Sequence, residues 1–184
     1  MSHTKEILVD GKHPLFNKSG MFYKEFPSDY RQVRFFSMLI VQKAPAEIKE
    51  INLLEQQISE LIKNAVRHGN KKDPDKKVRV WASFSTGHAH LIVEDEGEGF
   101  QQIEEWNQFN NKRNECFESH NFEELENYFS YRTPNSTEDD GGNALFAAVE
   151  YWDGGVVFND KKNAIAVYKN FNEKKRPGIE ISSS

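Results

Sequence analysis

Apolar positions return along this chain at two different periods, and the changes of period mark its elements. Over residues 30–43, Val33, Phe36, Ile40 and Val41, with Phe35 and Leu39 beside them, recur at helical spacing. Ser28 or Asp29 can cap that helix, and Pro27 closes a short strand over residues 21–26. The apolar stripe suits either core packing or a face for a second copy or partner. Ala44-Pro45 breaks the pattern. A longer helix is expected over residues 46–68, with Ile51, Leu54, Ile58, Leu61, Ile62 and Ala65 on its apolar face and Gly69-Asn70 as a left-handed terminator. The period then falls to two. Residues 78–84 and 89–95 read as a hairpin turned at Thr86-Gly87-His88, with His88 and His90 as turn and strand residues. A third helix over residues 144–152 carries Leu145, Phe146, Ala148, Val149 and Trp152, and a second hairpin pairs residues 156–159 with 164–168.

Residues 101–140 follow neither period for long. Short helices are expected around Ile103, Trp106 and Phe109, and around Leu125 and Tyr128. An interruption of this length exceeds an ordinary connection, so it reads as a lid or as a partner-binding excursion. The element order implies an α/β fold: a two-layer sandwich whose mixed, mostly antiparallel sheet is covered on one face by helices. Residues 1–20 read as a polar arm or loose strand, residues 21–171 as one domain with the 101–140 insertion, and residues 172–184 as a polar tail.

Composition narrows the function classes. The 184 residues include 37% apolar and 29% charged residues, enough for one sizeable core. Mean hydropathy of -0.77 places much of the rest at surfaces and loops. The formal net charge of -5 and the scattered lysines argue against direct nucleic-acid binding. A single cysteine, Cys116, rules out an intrachain disulfide and suits a reducing compartment. With no apolar leader and no long apolar run, the expectation is a cytoplasmic protein without a membrane segment.

Three stretches carry candidate chemistry. Glu60, Asn64 and His68 fall four residues apart, which stacks a carboxylate, an amide and an imidazole on one helical face. Alone, such a column also suits a solvated rim. Asp95-Glu96-Gly97-Glu98-Gly99 ends an acidic strand in alternate glycines, a pattern for close backbone approach or for a turn. Gly141-Gly142-Asn143 opens the third helix with bare N–H groups, an arrangement suited to anions.

In this order and on these elements, the three stretches resemble the Bergerat ATP-binding fold shared by gyrase, Hsp90, histidine kinases and MutL. Within it the chain is most similar to the bacterial anti-sigma-factor serine/threonine kinases. The resemblance implies ATP and Mg2+ as cofactors. It implies Glu60 as the general base, Asn64 as a Mg2+ ligand and Asp95 as the acceptor for the adenine amine. It places Gly97 and Gly99 beside base and ribose, and Gly141, Gly142, Asn143, Ala144 and Leu145 at the phosphates. His68 comes across only as a structural or phosphate-side neighbour. The implied partners are an anti-anti-sigma (STAS-type) substrate and a sigma factor, with the chain as a homodimer. The alternative is an ATP-binding interaction module with little or no transfer. One departure is Ala144, where the family usually has glycine; the other is the length of the 101–140 insertion.

Overall fold

A computed structural model describes residues 5–128 and 144–171. The strands are β1 (Ile7–Val9), β2 (Phe22–Pro27), β3 (Lys77–Phe84), β4 (His88–Glu94), β5 (Val156–Phe158) and β6 (Ala164–Asn170). The helices are α1 (Val33–Val41), α2 (Ile51–Asn64), α3 (Ile103–Glu118), α4 (Phe122–Leu125) and α5 (Ala144–Tyr151). One sheet runs in the order β1-β5-β6-β4-β3-β2. Its neighbours are antiparallel except β1 and β5, which pair parallel. The mixed, mostly antiparallel sheet with helices against it is the expected two-layer sandwich.

The two-residue period explains the layering. Val80 lies opposite Val93, and Ala82 opposite Leu91, across the β3–β4 pair. All four side chains are buried, and they join the same core as Ile40 of α1 and Leu54, Ile58 and Ile62 of α2. The α1 stripe divides between its two readings. Val33, Phe36, Ile40 and Val41 enter the core, whereas Phe35 and Met38 remain 56% and 44% exposed.

Helix limits differ from the sequence expectation in instructive ways. Residues 46–50 form turns, with Ile48 N donating to Pro45 O at 3.3 Å, so α2 begins only at Ile51. At its other end the ladder widens into a π-helical turn over Ala65–Gly69, in which Asn70 N donates to Ala65 O at 2.8 Å. Within 101–140, α3 runs on to Glu118 rather than stopping near residue 110. Ile103, Trp106, Asn110 and Cys116 bury one side of it, and no Gly or Pro interrupts it. The second expected helix is split between α4 and a 3-10 turn over Glu126–Tyr128.

Of the two readings of the N-terminal segment, arm or loose strand, residues 7–9 take the second. As β1 they supply an edge strand beside β5, with Ile7 opposite Val156. The 3-10 turn Pro14–Phe16 then crosses the sheet face turned away from the helices. The second nitrogen of His90, Nε2, lies 2.7 Å from the Leu15 carbonyl, which can only accept; the neutral ring therefore donates its N–H there. Lys18 Nζ sits 3.5 Å over the Trp81 ring.

Burial is the leading cause that lowers the His90 pKa, the Leu15 hydrogen bond opposes it, and His88 lowers it further. The unfolded chain therefore binds more protons than the native one below the ordinary histidine value of about 6.5. Stability contributed by neutral His90 is present above that value and is lost as pH falls through the native pKa. Urea titrations at pH 7.5 and 5.5 test this: acidification should destabilise the wild type more than His90→Gln.

Candidate functional site

The end of α2 is where helix and sheet meet. About 1.5 Å of rise per residue separates Glu60 and Asn64 from Gly69 by on the order of 13 and 7 Å along the axis. Both side chains are half-buried on one side of α2. Glu60 Oε1 lies 3.4 Å from Lys63 Nζ, an ion pair within the same helix. His68 lies within a π-helical turn. That turn begins after Asn64, and His68 is exposed.

Gly69 packs directly against Asp95. A Cβ built on Gly69 would meet the Asp95 carboxylate, and one on Gly97 would meet the Gly69 carbonyl. Gly69 therefore serves contact rather than helix termination, and the left-handed backbone falls instead at Lys71 (φ 53°) and Lys72 (φ 60°). Gly99 combines both needs, with φ at 91° and a Cβ that would strike the Lys161 carbonyl. Gly69 and Gly97 thus let two backbone segments close on the Asp95 carboxylate, and Gly99 lets the same loop pack on Lys161 and Lys162.

Asp95 is held through its main chain and its side chain. Its N–H donates to Asn163 O at 2.9 Å, and its carbonyl accepts from Asn163 Nδ2 at 2.9 Å. Gly97 N donates to Oδ1 at 2.8 Å. Burial raises the Asp95 pKa to about 6, with Glu94 adding to the rise and the Gly97 hydrogen bond and Lys76 opposing it. At neutral pH this carboxylate is ionised in a site that disfavours its charge.

Asn70, read from sequence only as part of a terminator, joins the pieces. It is fully buried. Its Nδ2 donates to Ser28 Oγ at 2.7 Å and to Lys77 O at 2.9 Å, while its Oδ1 accepts from Glu96 N at 2.7 Å. Asn163 likewise looked like a hairpin-turn residue. These partners lie up to 68 positions away in sequence, so local spacing gave no signal for them.

At the other candidate stretch, Ala144 is the first residue of α5, and Leu145 packs partly buried against the core. Gly141, Gly142 and Asn143 lie outside the described residues. An open hollow of about 460 Å³ is lined by Asp95 and Asn163 together with Arg79, Glu94, Glu96 and Asp160. Arg79 there is within 3.5 Å of Glu25, Glu94 and Glu96, so carboxylates already occupy its charge. The described residues contain no cluster of three or more His, Cys, Asp or Glu able to hold a metal. Nor do they contain a helix long and apolar enough to cross a membrane.

Parts of this sequence match known proteins. Residues 26–169 match the family described as the histidine kinase-like ATPase domain. An anti-sigma F factor of Shouchella clausii is 32% identical over 89 residues, covering 48% of this chain and 61% of that protein. An anti-sigma F factor of Geobacillus stearothermophilus is 38% identical over 56 residues, 30% of this chain and 38% of that protein. One from Geobacillus thermodenitrificans is 36% identical over 58 residues, 32% and 40% of the two chains. The chain thus spans between about two fifths and three fifths of the length of these relatives.

The Asp95 environment sets a testable stability trade. Its raised pKa favours the native state below the unfolded value of 3.8, and that advantage is lost as pH rises through about 6. Asp95→Asn keeps an oxygen for the Gly97 N–H and removes the buried charge. Thermal and urea unfolding at pH 7.5 should show the variant more stable by about 1–2 kcal/mol, with partial solvent access trimming the gain. At pH 4 the difference should vanish.

Proposed function

The chain belongs to the histidine kinase-like ATPase domain family, and from that premise we propose that it is an ATP- and Mg2+-dependent serine/threonine protein kinase of the anti-sigma type. Its acceptor would be an anti-anti-sigma (STAS-type) protein, and a homodimer of the chain would also sequester a sigma factor. The relatives named anti-sigma F factor support this partner class. Exposed Phe35 and Met38 on α1 offer an apolar surface for a second copy or partner.

The observation that carries the nucleotide assignment is Asp95. Among the described residues its carboxylate receives one hydrogen bond, from Gly97 N, although burial opposes its charge. The exocyclic amine of adenine would supply a second donor and relieve that penalty, whereas guanine would present a carbonyl there. Gly69, Gly97 and Gly99 keep the surrounding backbone close enough to shape the base pocket.

Asn64 fits Mg2+ chemically, since its amide oxygen is a hard neutral ligand and phosphate oxygens and water would complete the shell. When bound, Mg2+ supplies charge compensation at the phosphates. Glu60, one turn earlier on the same side, would take the proton from the acceptor hydroxyl. The acceptor oxygen then bonds the γ-phosphorus, the bond from that phosphorus to the β–γ bridging oxygen breaks, and ADP leaves. Backbone N–H groups at the start of α5, from Ala144 and Leu145 and from Gly141, Gly142 and Asn143 before them, would face the phosphates. His68, exposed within the π turn, keeps only a peripheral place.

The second reading, an ATP-binding module with little transfer, is favoured by the Ala144 methyl group at the start of α5. Labelled ATP and a STAS-type partner distinguish the two. Phosphoserine or phosphothreonine on the partner supports the kinase; ATP binding without it supports the module. Glu60→Gln should keep ATP affinity and lower transfer by roughly 100-fold or more, and undiminished transfer would remove Glu60 as the base. Asn64→Ala should weaken Mg2+-dependent ATP binding by roughly tenfold or more, read by calorimetry with and without Mg2+.

A further inference from the structure

The strand β1 lies before residue 26, outside the stretch that matches the family. It is nevertheless tied to both α3 and α5. Asn107 of α3 bonds Ile7 as a strand would, with Ile7 N donating to Oδ1 at 2.9 Å and Nδ2 donating to Ile7 O at 2.9 Å. Asn110 Nδ2 donates to Lys5 O at 3.2 Å, and Asn111 Nδ2 to Glu6 Oε1 at 3.0 Å. The outer edge of β1 is therefore covered by side-chain amides of α3.

The same segment reaches α5. Lys5 Nζ donates to Glu150 O at 3.1 Å and to Trp152 O at 3.3 Å, capping carbonyls at the C-terminal end of that helix. An ammonium is electrostatically favoured there. Gly155, just beyond, leaves room for Glu6 O at 3.0 Å from where a Cβ would stand. The other end of α5 is gripped by α3. Phe146 lies 4.9 Å from the Trp106 ring centroid and 5.8 Å from that of Phe109, with the Arg113 guanidinium 4.5 Å over its ring. The contacts close a triangle: β1 holds α3, α3 holds the beginning of α5, and Lys5 of the β1 segment holds its end.

We propose that the N-terminal strand fixes the position of α5 for the phosphate end of the nucleotide, with Lys5 and Asn107 as positioning residues. Neither touches the base side, where Asp95 and the glycines lie. Their influence passes along α5 to Ala144, about 10 Å from the Lys5 cap by helical rise. The inference rests on the nucleotide reading above. It predicts that loosening β1 penalises ligands with a polyphosphate and spares those without one.

Calorimetry with the full chain, Mg-ATP and adenosine tests it. Lys5→Met should weaken Mg-ATP by about fivefold and leave adenosine unchanged, and Lys5→Arg should restore ATP affinity. Asn107→Leu should reproduce the Lys5→Met pattern. If Asn107→Leu does not fold, the Lys5 pair decides alone, because Lys5 is only half-buried. Unchanged ATP affinity in Lys5→Met, or equal weakening of ATP and adenosine, overturns the positioning role while the nucleotide reading stands. A wild type that binds neither ligand overturns both.

Discussion

At the junction between α2 and the sheet there is no room for a β-carbon. Gly69 meets the Asp95 carboxylate, Gly97 meets the Gly69 carbonyl, and Gly99 meets the Lys161 carbonyl. Much of the surrounding geometry follows from this crowding. Asp95 is buried deeply enough to raise its pKa because backbone, rather than water, surrounds it. The close approach leaves polar groups that must be satisfied, and Asn70 does much of this with one fully buried amide. That amide links the end of α2 to Ser28, to Lys77 at the start of β3 and to the Glu96 backbone just beyond β4. The helix bearing Glu60 and Asn64 and the loop bearing Asp95 are therefore joined through this one side chain.

How much of this was legible in the sequence depended on the range of the interactions. The layers were readable because alternation in β3 and β4 and helical spacing in α1 and α2 are local consequences of burial. Even the division within α1, between Phe36 facing the core and Phe35 facing solvent, lies in that spacing. The glycine at position 69 was visible, but its purpose was not. A terminator and a close-approach glycine look identical in sequence, and only the position of Asp95 separates them. Asn70 and Asn163 were missed for the same reason, since each acts through partners remote along the chain. The column of Glu60, Asn64 and His68 assumed an unbroken α-helix, and the π turn that holds its last member gave no local signal.

The N-terminal residues show a different limit of sequence reading. Three residues, Ile7–Val9, are too few to declare a strand by periodicity. They become one because β5 supplies a parallel neighbour and Asn107 supplies the other edge. Exposed edge strands invite unwanted pairing, and side-chain amides from a helix close this one without another strand. The following residues then cover Trp81 and His90 on the second face. A segment that looks polar and unpatterned thus completes a sheet edge and part of a layer.

The π turn at Ala65–Gly69 has a consequence for how this helix tolerates change in length. A π turn holds one more residue than the α-helical turn it replaces. Deleting one residue there would let the ladder close as an ordinary α-helix and leave everything downstream facing nearly as before. Deleting one from the α-helical part of α2 would instead rotate everything downstream by about 100°, turning Gly69 from Asp95 and Asn70 from Ser28. The wide turn absorbs one residue between two surfaces: α2 is set by its core face, and Asn70 by the sheet.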